Sequence, residues 1–198
     1  MSVALIDRLV DPGGFSLQLV PYQRGSSSPY GGSMQVVDLL QDYWTATVSV
    51  PPMLEDDAAE LEAWINGMRG MTQVANLHHL ARPWPRGTLA GSPTAAASAA
   101  VGAASISINT TAGATLRSGD MLGVGGMLLQ VALDCVANGA GLLVVPIVNR
   151  LRKAVSSGAA VTWDRPTAAF RLITPVSVLY TPGYAEGVTL DFMEDVTL

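Results

Sequence analysis

The chain has 198 residues, 49% of them hydrophobic and only 14% charged, with 20 Gly and 12 Pro. That balance excludes global disorder, which requires low hydrophobicity and high net charge, and it predicts a turn-rich chain with enough apolar residues for a real core. A net charge of −5, with basic residues scattered except for Arg150, Arg152 and Lys153, lacks the concentrated basic face of a sequence-specific nucleic-acid reader.

From the start of the chain, Met1 to Val10 places Asp7 and Arg8 inside a short apolar stretch and does not read as a secretory signal. No window reaches about 18 uninterrupted apolar residues, so no membrane span is predicted. Phe15 to Val20 alternates as a strand does, and Gln23 to Ser33 reads as a Gly/Ser/Pro loop. In Tyr43 to Val50, Trp44, Ala46, Val48 and Val50 fall on one face and Tyr43, Thr45, Thr47 and Ser49 on the other, the period of a half-buried antiparallel strand. Pro51 and Pro52 end it.

Glu55 to Arg69 is the one predicted helix. Leu54, Ala58, Leu61, Ile65 and Met68 recur at helical spacing, Trp64 widens the stripe, and Glu55, Asp56 and Asp57 complement the positive end of the helix dipole. Gly70 supplies the stop. Met71 to Leu80 then reads as a strand, and Arg82-Pro83-Trp84-Pro85-Arg86-Gly87 as a stiff connector, because each proline lacks an amide donor. Ser92 to Ala104, uncharged and rich in small residues, reads as a linker or loosely packed lead-in.

Residues 105 to 164 carry their own strand set: Ser105 to Asn109, Met121 to Val124, Met127 to Val136, Gly141 to Val148 and Ala160 to Asp164. From about residue 89 to 164, Arg117, Arg150, Arg152 and Lys153 stand against Asp120, Asp134 and Asp164, a balance of +1 that leaves −6 for the rest. The last zone holds three short strands, Ala169 to Ile173, Val176 to Tyr180 and Val188 to Met193, too few for an independent core. They are expected to rejoin the N-terminal zone, making 105 to 164 an insertion in a discontinuous domain.

No constellation suggests catalysis. His78 and His79, the two histidines, are neighbours on a predicted strand and point to opposite faces, so they do not share a metal. A hydrolase with either as base would need a positioned partner, and none is apparent. Cys135 is the one cysteine, which rules out an intrachain disulfide and reads as an inert core thiol. Gly123-Val124-Gly125-Gly126 is expected to be a hairpin turn, since no helix or Lys-Ser/Thr pair follows as a phosphate loop requires. Glu55 to Asp57 lacks the ligand spacing of a calcium loop, and Asn109-Thr110-Thr111 fits a glycosylation sequon with no secretory signal beside it. No cofactor or metal is expected.

The order of features is more specific. Asp42-Tyr43-Trp44-Thr45-Ala46 and Pro51-Pro52 lead into the acidic helix; a strand ending in His78-His79 and Arg82-Pro83-Trp84-Pro85-Arg86-Gly87 follow. Leu116-Arg117-Ser118-Gly119-Asp120-Met121, Pro146 ahead of Leu151-Arg152, and Asp164-Arg165-Pro166 complete the series. This series resembles the distal tail proteins of long, non-contractile-tailed bacteriophages (siphophages), Dit-like proteins of the tail tip and baseplate hub.

The resemblance implies a mainly β fold: a tail-tube-like β-sandwich with one flanking α-helix, residues 1–88 and 166–198, interrupted by an inserted small OB-like β-barrel, residues 89–165. It implies a structural virion protein at the distal end of the phage tail, assembled in the host cytoplasm, with no enzymatic activity. Its partners would be copies of itself in a ring, a hexamer with a trimer as the alternative, the tail tube protein, the tip hub protein and the tape-measure protein.

Pairing strand edges between copies would hide templates that a lone sheet exposes. Ten of the eleven basic residues are Arg, which suits interfaces. The expected inter-subunit residues are Tyr43, Trp44, Thr45, Thr47 and Ser49 of the long strand, Arg82, Trp84 and Arg86 of the connector, and the loop Gln23 to Ser33. A ring that passes DNA is expected to turn some of its excess carboxylates to the lumen, since phosphate contacts would hold the genome. The alternatives are a carbohydrate- or receptor-binding module carried by the insert, weakened because Trp163 is its one aromatic residue, and a trimeric minor protein of the same tip.

Overall fold

The computed structural model describes residues 2–4, 14–27 and 31–196. The chain is mainly β, with one α-helix among the described residues. In chain order the first elements are β1 (Ser2–Ala4), β2 (Phe15–Val20), β3 (Gln23–Ser27), β4 (Met34–Asp38), β5 (Tyr43–Val50), α1 (Glu55–Gly67) and β6 (Val74–Leu77). Then come β7 (Thr94–Ala95), β8 (Ser105–Asn109), β9 (Thr115–Leu116), β10 (Met121–Val124), β11 (Met127–Gln130), β12 (Cys135–Val136), β13 (Leu142–Pro146) and β14 (Val161–Thr162). The last are β15 (Ala168–Leu172), β16 (Tyr180–Thr181), β17 (Tyr184–Ala185) and β18 (Val188–Glu194). Two compact units result, one drawn from the stretches 1–18, 44–83 and 167–197, the other chiefly from 19–43 and 84–166.

The first unit is organised by a six-stranded sheet in the order β1-β6-β15-β18-β5-β2. Strict alternation in β5 sends Trp44, Ala46, Val48 and Val50 to the buried face. Phe192 of β18 pairs with Ala46 on that same face and meets Trp64 of α1 edge to face, ring centres 6.3 Å apart. The helix therefore covers this side of the sheet, burying Ala58, Leu61, Trp64 and Ile65. Leu54, expected to begin the stripe, is instead exposed. It occupies the cap position with extended backbone (φ −69°, ψ 157°), where helical periodicity does not yet apply. No side chain caps this end, so Glu55, Asp56 and Asp57 supply its electrostatic complement. Arg69 and Gly70 both take left-handed conformations, φ 50° and 64°, but α1 already ends at Gly67, two residues short of the predicted Arg69.

The second unit packs Ile106, Ile108, Leu116, Leu122, Leu129, Leu143, Val145 and Leu151 into one core. Its sheets β11-β10-β14 and β13-β8-β7 are joined at both ends by isolated bridges, Thr94 to Ala160 and Val131 to Ile147, so the pairing runs in a closed circuit. β8 and β10 have the predicted bounds, and the Gly125-Gly126 turn between β10 and β11 has φ 57° and 78°, the doubly positive pair of a tight hairpin. The predicted strand Met127 to Val136 is two strands, β11 and β12, with Asp134 bonded to the Ser118 amide in the break. After β13, Asn149 behaves as a missing strand: its Oδ1 accepts the Gln130 N–H at 3.0 Å and its Nδ2 donates to the Leu128 carbonyl at 2.9 Å.

Two expectations are corrected here. Ser92 to Ala104 is no linker. Ala95, Ala96, Ala99 and Gly102 donate main-chain bonds to Ala159, Ser107, Val155 and Leu151, and small side chains let those backbones approach. Val176 to Leu179 forms no strand, and regular pairing resumes only at Tyr180, Pro175 having removed a donor just before it.

Candidate functional site

The expected assembly residues fall in different settings. β5 lies between β18 and β2, so its backbone offers no free edge, and the strand-edge pairing expected of Tyr43 to Val50 is corrected: among the described residues the outer strands of this sheet are β1 and β2. Trp44 is 3% exposed, and its backbone N–H donates to Glu194 Oε2 at 3.0 Å, so it is a core residue. Tyr43, Thr45, Thr47 and Ser49 are half-buried on the opposite face. The Thr47 hydroxyl donates to Asp191 at 2.8 Å and that of Thr45 to the Gln18 carbonyl at 3.4 Å.

Trp84 is 61% exposed, the largest exposed aromatic surface among the described residues. Arg86 is tied to its own unit: its Nε faces Asp120 Oδ1 at 3.4 Å and its Nη2 donates to the Ser118 carbonyl. Arg82 of the first unit faces His79, with Nε and Nη2 at 3.3 and 3.1 Å from the ring's Nε2. The Arg82 backbone N–H points at the other ring nitrogen, Nδ1, at 3.1 Å; a guanidinium and an amide only donate, so both ring nitrogens face donors and a doubly protonated imidazolium has no acceptor among them. Burial first, then the Arg82 charge, lowers the His79 pKa below its usual 6.5, and Phe15 packs against the ring at 5.2 Å. His79 thus reads as a neutral structural residue. His78 and His79 both lie just past the end of β6, not on a strand as expected.

Gln23 to Ser33 is corrected as well. Over Gln23–Ser27 the chain is a strand rather than a loop: β3 pairs with β4 in register from Gln23–Asp38 to Ser27–Met34, and all ten strand residues are exposed, while residues 28–30 of the expected loop lie outside the described residues. The ribbon carries Met34, Val36 and Val37, respectively 70%, 52% and 48% exposed, with Tyr22 and Leu39 at its base. That base is fixed: the Tyr22 N–H donates to Asp42 Oδ1 at 3.2 Å, the Leu39 N–H to the Tyr22 carbonyl at 3.0 Å, and Arg152 Nη1 to the Asp42 carbonyl at 2.5 Å. A two-stranded ribbon is marginally stable alone. This one presents apolar side chains on both faces, since Met34 and Val36 alternate with Val37.

Among the described residues no group of three His, Cys, Asp or Glu side chains gathers as metal ligands do. Glu55 accepts the Gly183 N–H at 3.0 Å and Glu62 the Tyr180 hydroxyl at 2.8 Å, binding the β16–β17 hairpin to α1. Cys135 is half-buried and burial pushes its thiol pKa up, the opposite of an activated nucleophile.

One feature escaped the sequence. A cleft of about 420 Å³ opens in the second unit between residues 91–94 and 160–164. Its walls come from segments some seventy positions apart, brought together by the Thr94–Ala160 bridge and the Val161 N–H bond to the Pro93 carbonyl. Trp163 was visible; the cleft beside it was not. Compared with known proteins, the chain matches no family model and no curated protein.

Proposed function

We propose that the protein is a structural component of a bacteriophage tail tip, a distal-tail-type subunit. It forms a ring joining the tail tube to the tip hub around the DNA passage. The observation that carries this reading is the β3–β4 ribbon, none of whose strand residues is buried. Large exposed apolar side chains such as Met34, Val36 and Val37 mark interaction sites where they cluster, and a ribbon whose strand residues are all exposed is suited to being covered by a neighbouring copy.

Two further features support it. The first unit, a helix-flanked sheet, is read as the tail-tube-like sandwich, and the closed strand circuit of the second as the OB-like barrel. Only 14% of the chain is charged, a composition suited to a subunit whose surface is shared with others. The ring is a hexamer, with a trimer as the alternative, and its neighbours are the tail tube, tip hub and tape-measure proteins. Part of the acidic excess faces the lumen.

Native mass spectrometry and electron microscopy of the purified protein test the proposal. A six-fold ring is the expected result; a stable monomer at every concentration, or a lumen lined mainly by arginine, would overturn it.

A further inference from the structure

We infer that the cleft beside Trp163 is a binding site for a neutral mono- or disaccharide. The inference stands on the cleft alone and does not depend on ring formation.

The volume, about 420 Å³, is of the size of small-molecule sites, but the cleft is widely open to solvent, which suits a small polar ligand that stays partly hydrated. Its chemistry is selective. The cleft offers the hydroxyls of Ser92, Thr94 and Thr162, the carboxylate of Asp164 and the indole of Trp163, and no cationic side chain lines it. Without Lys or Arg an anionic ligand would meet a carboxylate uncompensated, which disfavours phosphates and acidic sugars. Hydroxyl groups that both donate and accept, beside a carboxylate that only accepts, match a ligand that is itself polyhydroxylated.

The aromatic group is fixed in place. Trp163 packs partly against the unit's core, and its indole Nε1 donates to the Gly91 carbonyl at 2.9 Å. A ring locked in this way can receive the C–H face of a pyranose with little loss of side-chain entropy. Gly91 has φ 79°, and a Cβ there would meet nothing within 4 Å, so the rim beside the indole is open. A quaternary ammonium ligand is the competing occupant of a Trp–Asp pair, but recognition of such cations uses a cage of several aromatic rings. Trp163 is the one aromatic residue lining this cleft, too few for such a cage or for the row of platforms that an extended glycan needs, and enough for one pyranose stacked on one face.

The test is saturation-transfer NMR on the full chain with a panel of neutral sugars (glucose, galactose, mannose, rhamnose, N-acetylglucosamine and their disaccharides), with choline as the competing probe. Ser92 is exposed at the rim, so Ser92→Trp plugs the cleft without touching the core. Transfer to the ring C–H protons of at least one sugar is expected, with loss in Ser92→Trp, weakening in Asp164→Asn, and about tenfold or greater loss of affinity in Trp163→Ala. The rim variants carry the result if Trp163→Ala does not fold. Transfer to no sugar, transfer that survives Ser92→Trp, full affinity in a folded Trp163→Ala, or saturable choline binding in place of sugar would overturn the inference. A monomer that still binds sugar through Trp163 would overturn the ring and leave this site standing.

Discussion

Asp120 holds Arg86 twice: its Oδ1 accepts the Arg86 backbone N–H at 3.0 Å and faces the same residue's guanidinium Nε at 3.4 Å. The two contacts are unequal. The Arg86 side chain is 56% exposed, whereas that of Asp120 is 2% exposed. Asp120 Oδ2 also accepts the N–H groups of Gly87 and Arg117, at 3.3 and 2.8 Å. Arg86→Ala should therefore cost less than about 1 kcal/mol, as exposed ion pairs do. Asp120→Ala, which strands three main-chain donors, should cost about 3 kcal/mol. Urea denaturation followed by tryptophan fluorescence checks the pair; equal losses would mean that the guanidinium, not the main chain, is what the carboxylate holds.

Asn149 is expected to be as sensitive as a core position although it is polar. Asn149→Ala leaves the Gln130 N–H and Leu128 carbonyl without the partner they have, at roughly 2 to 3 kcal/mol for such buried groups. Hydrogen exchange reads this locally: the Gln130 amide should lose protection in the variant while the Leu122 amide, at the centre of β10, keeps it.

Acid should weaken the first unit through His79. The folded ring resists protonation, because burial and the Arg82 charge lower its pKa, while an unfolded histidine takes up a proton near pH 6.5. The contribution is fully present above that unfolded value and is lost as pH falls from it toward the lower folded value. Stability curves across this window should slope downward with acid in the natural protein and less so in His79→Gln. Parallel curves would assign the slope to other groups.

Charges placed on the β3–β4 ribbon should separate folding from assembly. Met34→Glu with Val36→Glu alters two exposed side chains, so thermal unfolding of the isolated chain should move by no more than about 0.5 kcal/mol per site. Self-association should fall sharply in native mass spectrometry. Unchanged oligomers would place the interface elsewhere, with the exposed Trp84 as the next position to change.

The elements that sequence reading located are those with one wet and one dry face. β5 announces itself because Trp44, Ala46, Val48 and Val50 alternate with polar residues, and α1 because Ala58, Leu61 and Ile65 share a stripe. β3 and β4 were illegible for the converse reason: a ribbon exposed on both faces has no apolar period to display, and Gly25-Ser26-Ser27 resembles loop composition. Ser92 to Ala104 misled because its packing is between backbones, which leaves no hydrophobic signature. The cleft was beyond reach, since nothing in residues 91–94 indicates that 160–164 will lie beside them. The interior position of β5 was hidden too, because strand order depends on pairing partners rather than on a strand's own residues.

The placement of β15 and β18 governs the order in which the molecule can be completed. They hold the middle of the six-stranded sheet, yet both are translated after the whole of the second unit, and the Trp44–Glu194 hydrogen bond spans 150 positions. Until β18 emerges from the ribosome, β5 and α1 lack the strand that carries Phe192 and Leu190, and one side of β5 is an open template. Such remote pairing makes for slow folding and a window of vulnerability to misassociation. The second unit's strands, by contrast, are all available to pair while the first unit still waits for its centre.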